Sequence, residues 1–115
     1  MLKLTKPIYE TIILLQYSKD FIIVCLSFTV GVVELAYEAS RVLVDALGSR
    51  IVAVALFGSW VRGEASDRSD VDFFVVFKDF NEEDRRFKIY HYLHNVLKRD
   101  ITVIDVDEKL FLEMI

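Results

Sequence analysis

"ALFGSWVRGEASDRSDVDFFVVF", residues 55–77, joins two apolar runs through a polar connection. The run Ile51–Phe57 stops at Gly58-Ser59, and the run Val71–Phe77 starts directly after Asp70, with Asp72 as its second residue. Both runs are rich in β-branched and aromatic residues and bounded by Gly, Ser and Asp, which is how buried strands read. Side chains alternate along a strand, so Asp70 and Asp72 point the same way, with Phe74 and Val76. Phe73, Val75 and Phe77 take the opposite, core face. Two carboxylates about 6–7 Å apart between Cα atoms repel each other unless a cation joins them. A hard ion such as Mg²⁺ accepts carboxylate oxygens and keeps water and phosphate oxygens as its other ligands. Two such ions form the clamp of two-metal phosphoryl chemistry.

Gly58-Ser59 supplies a complementary half. A glycine at a strand end lets the backbone approach a ligand, and a helical turn opening at Ser59 aims free N–H groups at an anion. A triphosphate in the turn and metal ions on the acids account for both features. The plainer reading is a tight turn followed by a solvated acidic loop.

Outward from this stretch, Val32, Leu35, Ala36, Ala39, Val42, Leu43 and Ala46 recur at helical spacing, with Glu34, Glu38, Arg41 and Asp45 mostly opposite. Gly48 stops that helix. Trp60–Gly63 reads as one helical turn and Glu64–Ser69 as a loop. Asn81 is placed to cap a helix over Glu82–Leu97, with acids in its first turn and Lys98 and Arg99 at its end. Asp100–Val106 reads as a third strand and Glu108–Ile115 as a terminal helix. The order predicts an α/β (α+β) fold, a small mixed β-sheet with helices packed mainly on one face.

The N-terminal third is less legible. Ile8, Ile12 and Leu15 suggest a short helix within Ile8–Tyr17, while Phe21–Val30 fits a strand or a buried helix equally. The expected organisation is an apolar extension over residues 1–31, packing on the domain or covering an interface with a second copy or a partner, and a catalytic unit over 32–115.

A chain of 115 residues, 54% hydrophobic, suits one domain with a substantial core. The net charge of −4 argues against direct nucleic-acid binding, which uses a basic stripe. A nucleotide ligand stays compatible, because metal ions supply the positive charge. Cys25 is the single cysteine and reads as a small buried hydrophobe. With no disulfide inside the chain, a reducing, cytoplasmic setting is expected. Phe21–Val33 is uncharged but much shorter than the roughly 20 residues that span a bilayer, and no small-residue cleavage site follows Lys3 and Lys6. Neither a membrane segment nor a signal peptide is expected.

GSWVRGEASDRSDVD resembles the signature of the minimal nucleotidyltransferases, small members of the DNA polymerase beta superfamily. Gly58, Ser59, Arg62, Gly63, Ser69, Asp70 and Asp72 match it, and Val61 stands where alanine is commoner. The resemblance spans about Val32–Ile115. It implies a polymerase beta-like fold, ATP as substrate, two Mg²⁺ ions, and nucleotide contacts from Gly58, Ser59, Arg62 and Ser69. It also implies a third metal-binding carboxylate on a later strand. Asp100, Asp105 and Asp107 are the candidates. Asp100 stands directly after the crossover helix, where the resemblance puts the acid, whereas Asp105 has the opposite strand parity and Asp107 lies in the exit turn. Asp70, Asp72 and Asp100 are therefore the expected catalytic and metal residues. Arg62 has two readings: a triphosphate contact or an ion pair with Glu64 or Asp67. Members of this family commonly pair with a helical HEPN-type toxin, act as its antitoxin and adenylylate it. The implied reaction is AMP transfer from ATP to a hydroxyl of such a partner. The alternative is a non-catalytic module that binds nucleotide or neutralises the toxin by occlusion.

Three further features have plain readings. His91 and His94 lie three apart on the 82–97 helix without a carboxylate at matching spacing, and read as helix-surface residues. Trp60 either flanks the nucleotide or packs under the loop. NEEDRRFK at 81–88 reads as a solvated helix start.

Overall fold

The computed structural model describes residues 13–17, 20–21, 30–62, 64–66 and 68–114, with the backbone alone at 13–17, 20–21, 30 and 62. Its strands are β1 (Ile13–Tyr17), β2 (Asp20–Phe21), β3 (Ile51–Phe57), β4 (Val71–Phe77) and β5 (Ile101–Asp107). Its helices are α1 (Val30–Leu47), α2 (Ser59–Arg62), α3 (Arg85–Leu97) and α4 (Glu108–Met114). The strands form one mixed sheet in the order β2-β1-β3-β4-β5. Only β4 and β5 run parallel, joined by the crossover through α3; β1, β3 and β4 are antiparallel neighbours.

One face of the sheet is the core. Val54, Leu56, Val71, Phe73, Val75 and Phe77 pack there against Val33, Ala36, Ala39, Leu43 and Leu47 of α1 and Ile89, Leu93 and Leu97 of α3. The stripe on α1 is narrower than its sequence suggests. Leu35 and Val42 are 44% and 39% exposed. Ser40 is fully buried instead, and its hydroxyl donates to the Tyr37 carbonyl at 2.7 Å, which satisfies the polar group that burial would otherwise penalise. On the other face Phe74 meets Phe111 of α4, ring centroids 5.9 Å apart.

The expected mixed sheet with helices mainly on one face is present, and β3 and β4 occupy the residues read as strands. Three details differ. Residues 13–17 form an antiparallel strand on the edge of β3 and not a helix; residues 8–12 and 22–29 lie outside the described residues. The crossover helix begins at Arg85 rather than Glu82, and its cap position, Asp84, makes no side-chain capping bond, so Asn81 is not the cap. It ends at Lys98 in the left-handed conformation. Among the described residues no helix is long and apolar enough to cross a membrane.

Candidate active site

Strand directions bring the singled-out residues to one end of the sheet. β3 finishes where β4 and β5 begin: Phe57 pairs with Asp72, and Val71 with Ile101. The Gly58-Ser59 turn, the start of β4 and the start of β5 are thus neighbours. The turn closes through Val61 N–H donating to the Gly58 carbonyl (3.1 Å) and Glu64 N–H to the Ser59 carbonyl (2.9 Å).

Gly58 has φ +84°, and a Cβ built on it would meet Asp72 Oδ2 at 2.0 Å, Cγ at 3.0 Å and Cβ at 3.3 Å. Only glycine combines that backbone conformation with that contact. The peptide of the turn therefore lies against the Asp72 carboxylate.

Asp72 pairs in register with Thr102, which places both on the face opposite the helix-packed core. Thr102 Oγ1 donates to Asp70 Oδ2 at 3.3 Å, so Asp70 sits on that face as well. Asp100 immediately precedes β5, and its carbonyl accepts the Val71 N–H at 3.1 Å. The start of β4 is thus tied to Asp100 through Val71, the residue after Asp70, and both Asp70 and Asp100 are exposed.

The other acids belong elsewhere. Asp105 lies on the core face, paired with Val75. Its side chain is fully covered and accepts from Arg85 Nε at 2.9 Å and Arg86 Nε at 2.8 Å. Burial pulls its pKa up, but the hydrogen bonds and charges of the two arginines outweigh burial and hold the carboxyl below its ordinary value. Asp107 accepts the Lys109 N–H at 2.8 Å at the far end of the sheet. Of the three later-strand candidates, Asp100 alone stands at the end occupied by Asp70 and Asp72.

The remaining expected residues are arranged as follows. Ser69 Oγ accepts the Ser66 N–H at 3.0 Å, and Ser69 N–H donates to the Ser66 carbonyl at 3.0 Å, so this serine fastens its own loop. Arg62 ends α2; its side chain, Gly63 and Asp67 lie outside the described residues. Trp60 packs against the core and donates its indole N–H to the Ser69 carbonyl at 3.2 Å. His94 stacks on Tyr90 and His91 on Phe87, both on the surface side of α3. Thr102 was not singled out from sequence; its signal was strand parity with Asp100, two residues earlier.

Among the described residues no three His, Cys, Asp or Glu side chains converge into a ready-made metal cage. Mg²⁺ does not require one, because it is commonly held by one or two carboxylates with substrate phosphates and water completing the octahedron. The hard oxygen donors of Asp70 and Asp72 on one face suit that ion.

The family pattern described as "Polymerase beta, Nucleotidyltransferase" matches residues 42–115. The chain belongs to the polymerase beta nucleotidyltransferase family. It is 33% identical over 55 residues to a Methanocaldococcus jannaschii protein provisionally named a protein adenylyltransferase. That match covers 48% of this chain and 64% of the relative, so the chain spans less than two thirds of that protein's length. A crystal structure from Sulfolobus solfataricus, provisionally described as a nucleotidyltransferase, superposes with a TM-score of 0.54 at 25% identity, over 74% of this chain and 75% of that one. The family match includes Gly58-Ser59, Asp70, Asp72 and Asp100.

Proposed function

We propose that this nucleotidyltransferase moves AMP from ATP to a hydroxyl on a partner protein. The observation that carries this reading is the packing of the Gly58 peptide on the Asp72 carboxylate, with Asp70 on the same face and Asp100 at the adjoining strand start. The name of the archaeal relative supports protein as the acceptor class. The motif's resemblance to minimal nucleotidyltransferases supports a helical HEPN-type toxin as the partner and an antitoxin role.

In this reading Asp70 and Asp72 hold Mg²⁺, which when bound neutralises charge developing on the phosphates. Gly58 and Ser59 seat the β- and γ-phosphates, and the motif's resemblance supports Arg62 as a further triphosphate contact. The acceptor oxygen attacks the α-phosphorus, the bond to the bridging oxygen of the β-phosphate breaks, and pyrophosphate leaves with that electron pair. Asp100 takes the acceptor's proton. Such transfer depends mainly on positioning and electrostatic stabilisation, which a rigid strand end provides.

The test is incubation of the protein with α-labelled ATP, Mg²⁺ and a purified HEPN-type helical protein as candidate partner. Label on the partner, with release of pyrophosphate and loss of both in Asp70→Asn/Asp72→Asn, supports the reading. Tight partner binding without label transfer marks a neutralising module instead.

A further inference from the structure

Two loop residues lead directly into exposed acids of the site: Ser69 precedes Asp70, and Arg99 precedes Asp100. Neither acid lies within a strand's paired register, so strand pairing alone does not fix where they stand. Both preceding residues touch the same side chain. Trp60 donates its indole N–H to the Ser69 carbonyl at 3.2 Å, and the Arg99 guanidinium lies over its ring, 4.9 Å from the centroid. Trp60 itself is the second residue of α2, one position after Ser59, and its ring is packed on the buried core.

We propose that Trp60 is a positioning residue that clasps the three segments of the site: the Gly58-Ser59 turn, the approach to Asp70 and the approach to Asp100. The indole suits this because it offers two distinct contacts in different directions. Its edge donates one hydrogen bond, and its π-face attracts a guanidinium. Both contacts fall one residue before a site carboxylate, so they set the backbone that aims each acid without occupying the acids themselves. Phenylalanine at this position would keep the face but lose the donor, and alanine would lose both. The proposal rests on reading Asp70 and Asp100 as parts of one nucleotide site.

The test compares full-length wild type, Trp60→Phe and Trp60→Ala by amide hydrogen exchange and by Mn²⁺ titration in the presence of a non-hydrolysable ATP analogue. The reporter amide is Val71 N–H, whose bond to the Asp100 carbonyl joins the two strand starts. Local opening there exchanges this amide independently of global unfolding. In Trp60→Ala, Val71 should exchange about tenfold faster, after division by the change at the centre of β4, the size expected for losing a hydrogen bond and a cation–π contact. Mn²⁺ affinity should fall by a similar factor. Trp60→Phe should give smaller changes of the same sign, and it decides the matter alone if Trp60→Ala does not fold. Val71 protection that falls no more than protection at the centre of β4 overturns the clasp, as does unchanged Mn²⁺ affinity in a folded variant. Failure of wild type itself to bind Mn²⁺ overturns the metal reading, and the normalised Val71 exchange then still judges the clasp.

Discussion

The backbone of Gly58 lies so close to the Asp72 carboxylate that a Cβ at 58 would sit 2.0 Å from Oδ2. Residues 58 and 72 are therefore a matched pair: the absence of a side chain at one makes room for the carboxylate of the other. Gly58→Ala should displace that carboxylate and strain a backbone held at φ +84°, costing about 1–3 kcal/mol. Removing the clash with Asp72→Ala should return part of this and leave the backbone strain. A double-mutant cycle by urea denaturation should give a coupling of about 1 kcal/mol or more. Strictly additive effects would mean that the two residues do not compete for the same space.

Asp70 is exposed, and its Oδ2 accepts only the long 3.3 Å bond from Thr102 among the bonds described. Asp70→Asn should change stability by less than about 0.5 kcal/mol, as surface substitutions usually do. The same substitution removes a charged oxygen donor for Mg²⁺. Calorimetric titration with ATP should therefore lose its Mg²⁺ dependence in Asp70→Asn/Asp72→Asn, while metal-free nucleotide binding is kept or strengthened by the loss of repelling charge. Retention of wild-type Mg²⁺ dependence would remove these acids from the metal site.

β3 and β4 could be read from sequence because each is a compact apolar run whose ends carry turn residues, and the parity of Asp70 and Asp72 followed from strand geometry. β1 could not. The spacing of Ile8, Ile12 and Leu15 imitates a helix locally, whereas residues 13–17 satisfy their backbone groups on the edge of β3, and local periodicity does not encode that long-range pairing. The start of α3 was misplaced for a related reason. Arg85 is engaged with Asp105 twenty residues later, a tertiary contact, while the acids at 82–84 made an earlier start look favourable. Site contacts that depend on two loops meeting, such as Trp60 with Ser69 and Arg99, were likewise invisible, although the residues themselves were in view.

Asp100 directly precedes β5 at the candidate site, whereas Asp105 lies within β5 on the core face, and their substitutions should separate cleanly. Asp100→Asn should abolish transfer with little effect on stability, since Asp100 is exposed. Asp105→Asn should do the reverse, costing about 1.5–3 kcal/mol at pH 7 through its charge-assisted bonds and leaving Mg²⁺-ATP binding in place. Because the folded pKa of Asp105 is depressed, its stabilisation is complete above the unfolded value of about 3.9 and disappears as pH falls through the folded value. Wild type should lose this contribution progressively below about pH 4. Asp105→Asn should lack that part of the acid limb in denaturation measured from pH 7 to pH 2. An acid limb unchanged by the substitution would show that the arginine pairs do not stabilise the fold.

Removal of residues 1–29 tests what the N-terminal segment does for the sheet. β1 pairs antiparallel with β3, opposing Ile13 to Leu56 and Leu14 to Ala55, within two residues of Gly58. Without it, β3 becomes an edge strand, and the backbone N–H and C=O groups that β1 satisfies face solvent or another chain. Truncation should therefore lower the melting temperature and also promote self-association, with β3 as the exposed template. Sedimentation velocity and thermal denaturation of the truncated and full-length chains provide the check. A truncated protein that stays monomeric with an unchanged melting temperature would show that β1 is dispensable to the sheet. A loss of melting temperature that is recovered at high protein concentration would show a second copy supplying the missing strand.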